Sequence, residues 1–194
     1  VDNPISLYAA TKKANELMAY AYADLYHLPT TGLRFFTVYG PWGRPDMALF
    51  KFTKGILDSK PIPVYNQGEM VRDFTYIDDI VEGVVRAIGR PPSLVYEHEN
   101  KNDAAVRTVP YQIYNIGNGQ PIPLMRYIQA LEKALGNKAQ LELLPMQPGD
   151  VRVTEADVSC LVSDLGYRPQ IDVETGVARF AEWYCDYYGV QLSD

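Results

Sequence analysis

Tyr8 and Lys12 stand four residues apart in the stretch "SLYAATKKANE". On a helix that spacing puts both side chains on one face, so a phenol and an ammonium can meet over one small volume. A phenol ordinarily titrates near about 10, too high for a base at neutral pH. A neighbouring cation favours the phenolate and equips it to move a proton to or from a hydroxyl. The chain holds 15 tyrosines, so a Tyr-x-x-x-Lys spacing has little weight alone. A solvated helix face is the plainer explanation until the rest of the chain is weighed.

The elements that must carry such a pair are legible. Ser6 is a helix cap, and Leu7, Ala10, Ala14, Leu17, Met18, Ala21, Tyr22 and Leu25 recur at helical spacing up to Pro29. "TTGLRFFTVYG" is β-branched and aromatic and reads as one buried strand. "DMALFKFTKGILDSK" reads as an amphipathic helix, "PIPVY" as a short extended piece and "RDFTYI" as a strand. Asp78 or Asp79 is expected to cap the helix "IVEGVVRAI". The Pro-rich polar stretch 89–110 reads as a surface insertion. "YQIYNIG" is a strand ending in Gly117-Asn118-Gly119, followed by the helix "PLMRYIQALEKALG" and the strand "AQLELLP". "EADVSCLVSDLGY" and "VETGVARFAEWYCDYYG" are expected to be two closing helices. Strands alternate with helices, so the class is α/β.

The bulk properties exclude several functions. In 194 residues, 47% hydrophobic and 22% charged, there is material for a packed core. A net charge of -6 argues against a general nucleic-acid binder, which needs a basic footprint. Cys160 and Cys185 form no CxxC and imply no disulfide framework, which suits a reducing, cytoplasmic setting. His27 and His98 lack metal-ligand spacing, so no metal is expected. No apolar run reaches transmembrane length and no signal peptide is visible, so no membrane partner is expected. The chain opens on Val1 and enters a helix at once, as a piece of a longer protein would.

Five segments occur in order: "PISLYAATKKANE", "TGLRFFTVYGPWGRPDMA", "MVRDFTYIDDI", "YNIGN" and "LPMQPGDV". Together they resemble the carboxyl-terminal part of an extended short-chain dehydrogenase/reductase, most of all the UDP-glucuronate 4-epimerases. The resemblance implies NAD as cofactor, Tyr8 as general base and acid, and Lys12 on the nicotinamide ribose, tuning Tyr8. Phe35 and Thr37, in "RFFTVYG", would lie beside nicotinamide and sugar, with the Thr37 hydroxyl reading the hexuronate carboxylate. Arg44 would face the nucleotide sugar. Pro63 and Tyr65 would cradle uracil, Arg72 would take the diphosphate and Asp150 the uridine ribose. Plain alternatives exist for each: a strand threonine at Thr37, a surface arginine at Arg44, an edge strand at Pro63, an ion pair of Arg72 with Asp73, and a turn aspartate at Asp150.

The implied architecture is the last part of a Rossmann-type parallel-sheet domain, residues 1–45, followed by a smaller α/β substrate domain, 46–194. The 78–90 helix and the 111–117 strand would return towards the Rossmann part. No GxxGxxG loop for the dinucleotide pyrophosphate occurs in these residues, so this stretch alone is expected to be inactive. The implied reaction is C4 epimerisation of UDP-glucuronate to UDP-galacturonate through a 4-keto sugar. A UDP-glucuronate decarboxylase and a UDP-glucose 4-epimerase are the neighbouring readings; UDP-galactose 4-epimerases tend to carry arginine where Gln147 stands. A non-catalytic nucleotide-sugar-binding module is the reading of another class. Met18, Tyr22 and Leu25 lie on the face that pairs such proteins as homodimers, although packing inside one chain would give the same pattern.

Overall fold

Ser6 opens the first helix, α1 (Leu7–Tyr26), by accepting a hydrogen bond from the Ala9 amide at 3.2 Å. That satisfies one of the first-turn amides that have no partner within the helix. The computed structural model describes residues 3–93, 96–97, 106–107 and 109–192. After α1 come β1 (Thr30–Phe35), β2 (Thr37–Tyr39), α2 (Ala48–Leu57), β3 (Pro61–Val64), β4 (Val71–Arg72), β5 (Phe74–Tyr76) and α3 (Ile77–Ile88). The order continues with β6 (Tyr96–Glu97), β7 (Val106–Arg107), β8 (Tyr111–Ile116), β9 (Ile122–Pro123) and α4 (Leu124–Leu135). It ends with β10 (Gln140–Leu143), α5 (Ser159–Leu165) and α6 (Val173–Tyr188). Half of the polar 89–110 stretch, with His98, lies outside the described residues; within it β6 pairs antiparallel with β7.

The fold is α/β, with parallel pairing of β1 with β8, β2 with β5, and β3 with β10. Parallel partners need crossovers, and α3 lies in the connection that carries the chain from β5 to β8. β4 pairs antiparallel with β9. Among the described residues, no helix is long and apolar enough to cross a membrane.

Two apolar clusters hold these elements. The larger joins α2, α4 and α6 to β3 and β5. At its centre Phe74 and Tyr127 stack at 4.1 Å, and Tyr39 meets Tyr127 edge-on at 5.5 Å. The smaller joins Ile80 and Ala87 of α3, Tyr114 and Ile116 of β8, and Leu161 and Leu165 of α5, with Tyr167. Leu33 and Val38 pack against that second cluster.

Three sequence expectations are corrected, and one alternative is set aside. The strand 30–40 is broken at Phe36, because the chain changes partner there from β8 to β5. Neither Asp78 nor Asp79 caps α3; its N-cap is Tyr76 and both carboxylates fall in the first turn. Asp79 instead accepts from the amides of Gln170 and Ile171, at 3.1 and 3.0 Å, and so ties α3 to the chain before α6. The helix expected over 155–167 is only Ser159–Leu165. Finally, Met18, Tyr22 and Leu25 are 57%, 61% and 69% exposed, so packing within this chain does not explain their apolar face.

Candidate active site

Glu16 fastens α1 to β1. Arg34 donates to it twice, Nε to Oε1 at 2.6 Å and Nη2 to Oε2 at 2.7 Å. The guanidinium's hydrogen bond holds the Glu16 carboxyl below its ordinary range, despite partial burial. On the far side of the helix turn, the Tyr111 hydroxyl donates to the Glu16 carbonyl at 3.0 Å, and the Tyr111 ring meets Tyr20 edge-on at 5.3 Å. The helix bearing Tyr8 and Lys12 is therefore docked at a fixed rotation on the strand that ends in Phe35.

Between them runs an open cleft of about 730 Å³, lined by Tyr8, Lys12, Glu16, Arg34, Phe35 and Tyr111 among others. The Lys12 ammonium stands 5.4 Å from the centre of the Tyr8 ring, within cation–π range. Tyr8 is 71% exposed and Phe35 54%. The phenol, the ammonium and an aromatic ring thus share one accessible space, as a proton-transfer pair beside a planar ring would require.

Thr37 stands at the partner switch. The Phe36 amide still donates to Ile116 O at 3.2 Å, whereas the Thr37 amide donates to Asp73 O at 3.2 Å. Arg44 follows on the loop after β2. It is exposed and forked onto Asp46, with Nε–Oδ1 at 3.0 Å. The hydrogen bond to Asp46 holds the guanidinium proton more firmly than usual. The loop is braced by Trp42, whose backbone is left-handed (φ 60°). Its ring packs on Trp183 and Tyr187 of α6, at 5.2 and 5.1 Å.

The other expected residues form a second group. Leu144 N donates to Val64 O at 2.9 Å, and Gln67 N donates to Leu144 O at 3.1 Å. Further on, Val71 N donates to Arg152 O at 2.9 Å and Thr154 N to Val71 O at 3.1 Å. The segment 144–154 therefore runs along 64–72 and gathers Pro63, Tyr65, Arg72 and Asp150. Pro63 lies in β3 opposite Glu142 of β10, and Tyr65 follows that strand into a 3-10 turn. Arg72 Nη2 donates to Asp150 Oδ1 at 2.9 Å, and its Nη1 donates to Val71 O and Arg152 O at 2.9 and 3.1 Å. The side chains are 14% and 34% exposed. The Arg72–Asp73 ion pair considered from the sequence is thus replaced by Arg72–Asp150.

Asp73 has a different task. It is fully buried. Its Oδ1 accepts from Asn118 N at 2.8 Å, and its Oδ2 accepts from Gly119 N and Ala156 N, both at 2.9 Å. Gly117 has to be glycine for this junction to close, since a Cβ there would lie 2.6 Å from Ala156 Cβ.

Tyr8, Lys12 and Phe35 are thus brought onto one cleft and Arg72 and Asp150 into direct contact, while Pro63 and Tyr65 stand where the 144–154 segment begins its run along 64–72. Thr37, bonded through its backbone to the residue after Arg72, stands at the joint. Glu16, Arg34 and Arg152 were not singled out from the sequence, and Asp73 was named only as an ion-pair partner for Arg72. Glu16 was within reach, since it continues the four-residue stripe of Tyr8 and Lys12. Asp73 was not, because its partners lie about 45 and 83 residues further on. Among the described residues no cluster of His, Cys, Asp and Glu could hold a metal ion.

Known proteins resemble this chain in sequence and in fold. The chain is 53% identical over 189 residues to Protein CapI of Staphylococcus aureus, covering 97% of this chain and 57% of that protein. It is 52% identical over 189 residues to a probable UDP-glucuronate 4-epimerase of Rhizobium meliloti, covering 96% and 55%. Among solved structures, UDP-glucuronic acid 4-epimerase from Bacillus cereus, in complex with UDP-glucuronic acid and NAD, superposes with a TM-score of 0.80 at 33% identity, over 96% of this chain and 55% of that one. The chain spans little more than half the length of these relatives. The pattern of the NAD dependent epimerase/dehydratase family matches residues 1–117, more than half of the sequence, and the chain belongs to that family.

Proposed function

We propose that this chain supplies the catalytic-tyrosine helix and the nucleotide-sugar-binding portion of an enzyme that epimerises UDP-glucuronate at C4. The observation that carries the reading is the shared cleft of Tyr8, Lys12 and Phe35, beside the Arg72–Asp150 group. The cleft fits the nicotinamide end of NAD by its chemistry. It has a cation for ribose hydroxyls, a phenol for proton transfer, an exposed aromatic ring, and a volume in the range of small-molecule sites. Residues 1–45 would belong to the dinucleotide-binding domain and 46–194 mainly to the substrate domain.

Lys12 and Phe35 would hold the nicotinamide end, with Thr37 at its sugar side. NAD held there would supply the hydride acceptor and donor that inversion at C4 needs. Tyr8 takes the proton of the C4 hydroxyl and gives one back to the 4-keto oxygen. Lys12 stabilises the phenolate that Tyr8 needs for this. Arg72 holds the diphosphate, Asp150 the uridine ribose, Pro63 and Tyr65 the uracil, and Arg44 closes over the nucleotide sugar. Thr37 fixes the hexuronate carboxylate. A 4-keto hexuronate is a β-keto acid, so a carboxylate held out of alignment with the carbonyl protects it from losing carbon dioxide. The apolar face of Met18, Tyr22 and Leu25 forms the contact of a homodimer.

The test is product analysis with the full-length protein. UDP-galacturonate from UDP-glucuronate, lost in Tyr8→Phe with UDP binding retained, supports the reading. Release of carbon dioxide would make it a decarboxylase, turnover of UDP-glucose alone a different epimerase, and UDP binding without turnover a sensor module. Sedimentation of a Leu25→Asp variant tests the dimer: an unchanged oligomer removes that face from the contact.

A further inference from the structure

Asp73 carries the inference that goes furthest. It is a carboxylate with no exposed surface, next in sequence to Arg72, and it does not face the cleft chemistry. It accepts three backbone amides from two other segments: Asn118 and Gly119 after β8, and Ala156 before α5. The Thr75 hydroxyl adds a longer contact at 3.4 Å. Its own amide donates to Thr154 Oγ1 at 3.3 Å, and its carbonyl accepts from Thr37 N at 3.2 Å. One residue thus binds the strand of Arg72 and the 154–156 end of the Asp150 loop, and reaches the strand of Thr37.

Resting on the nucleotide-sugar reading above, we propose that Asp73 is the positioning residue of the diphosphate end, its buried carboxylate joining the 117–119 turn and the 154–156 segment to Arg72 so that Arg72 and Asp150 are held at the spacing a nucleoside diphosphate requires. Backbone bonds between Val71 and residues 152–154 tie that segment to the strand of Arg72, and the Asp73 carboxylate is the group that brings the Asn118, Gly119 and Ala156 amides to one point. One buried amide, Ala156, and two partly buried ones, Asn118 and Gly119, lose their partner if it is altered, and each unsatisfied donor disfavours the arrangement. An amide side chain offers one oxygen where two are used, and turns an N–H against the Gly119 and Ala156 amides. Tyr8, Lys12 and Phe35 are docked chiefly through the Glu16–Arg34 pair, which the Asp73 carboxylate does not touch.

The experiment compares wild type, Asp73→Asn and Gly117→Ala as full-length proteins, with UDP in calorimetry and UDP-glucuronate in steady-state kinetics. Gly117→Ala keeps the carboxylate but pushes Ala156 away from it. Both variants are expected to raise the UDP Kd and the UDP-glucuronate KM about tenfold, with kcat at saturation within about threefold of wild type. Unchanged Kd and KM with a lowered Tm would overturn the proposal and leave Asp73 as a support of the fold alone. Should Asp73→Asn fail to fold, Gly117→Ala decides in the same way. A wild-type protein that binds no UDP would overturn the nucleotide-sugar reading and this inference with it; a wild type that binds UDP beside two variants that bind it equally well would overturn this inference alone.

Discussion

Arg72 and Asp150 are 78 residues apart in sequence, and the guanidinium Nη2 donates to the carboxylate Oδ1 at 2.9 Å. Each was assigned a separate contact with a nucleotide, one with phosphate and one with ribose. The structure has them holding each other. A guanidinium that also donates to Val71 O and Arg152 O is pinned on one edge. A diphosphate would have to meet the donors left over. Arg72→Ala is therefore expected to weaken UDP binding ten- to a hundredfold, the range of a charge-assisted hydrogen bond. Arg72→Lys should recover little, because a point ammonium cannot satisfy the carboxylate and two carbonyls while also meeting phosphate. Calorimetry on the full-length protein checks both, and wild-type affinity in Arg72→Lys would remove the fork from the argument.

The Glu16–Arg34 pair gives a prediction of opposite signature. It sets the rotation of α1 on β1, and so the approach of Tyr8 and Lys12 to Phe35. Glu16→Gln should lower kcat ten- to a hundredfold, the penalty of displacing a catalytic group by a fraction of an ångström to one ångström. UDP affinity should stay, since Arg72 and Asp150 are held elsewhere. The cost in stability should be small, about 1 kcal/mol or less, because both side chains remain partly exposed. Equal losses in kcat and in UDP binding would mean that the two halves of the site are not independent.

Sequence periodicity gave α2, α4 and α6 well because each buries its own repeating face, and Ser6 marked the start of α1 through a purely local bond. What periodicity could not give were events decided by distant partners. "FFTVY" is entirely β-branched and aromatic, so nothing local announces that Phe36 leaves β8 and Thr37 joins β5. Asp79 has the composition of a cap, yet its carboxylate is claimed by amides at 170 and 171. The site residues were named through ordered motifs. The pairing of Arg72 with Asp150 rather than Asp73 follows from a loop crossing that no short window contains.

Acid should unfold the chain through particular carboxylates. Glu16, hydrogen-bonded to Arg34, and Glu174, hydrogen-bonded to Arg126, are held below the ordinary 4.5. Asp172, capping α6 through the Thr175 amide, is held below 3.8. A folded-state value beneath the unfolded one adds stability that is fully present above the unfolded value and is lost as pH falls through the folded one. The melting temperature should therefore be flat as pH falls towards 5, then drop below about 4.5 and steepen below about 3.8. Replacing Glu16 and Asp172 by their amides should lower the plateau and flatten the descent. A descent of unchanged slope would place the acid-sensitive groups elsewhere.

The packing of α6 on the aromatic centre offers the sharpest test of the fold. Gly176 lies on the helix face against Tyr39, and a Cβ there would overlap the Tyr39 hydroxyl while coming within 2.8 Å of its Cζ and 2.9 Å of Tyr76 Cδ2. Tyr39 cannot swing aside, since it meets Phe74, Tyr76 and Tyr127 edge-on and its hydroxyl reaches Asp172 O at 3.5 Å. Alanine is the better helix former by about 1 kcal/mol, so propensity alone predicts that Gly176→Ala stabilises. Overpacking costs about 1–3 kcal/mol and should win, because the obstructing atoms belong to a ring locked by three others. Urea unfolding should show the loss. Tyr39→Phe removes the overlapping oxygen, so the double variant should recover part of it, giving a coupling energy of about 1 kcal/mol or more. Additive losses in the two single variants would mean that the helix shifts as a whole and that the contact with the hydroxyl is not what makes residue 176 glycine.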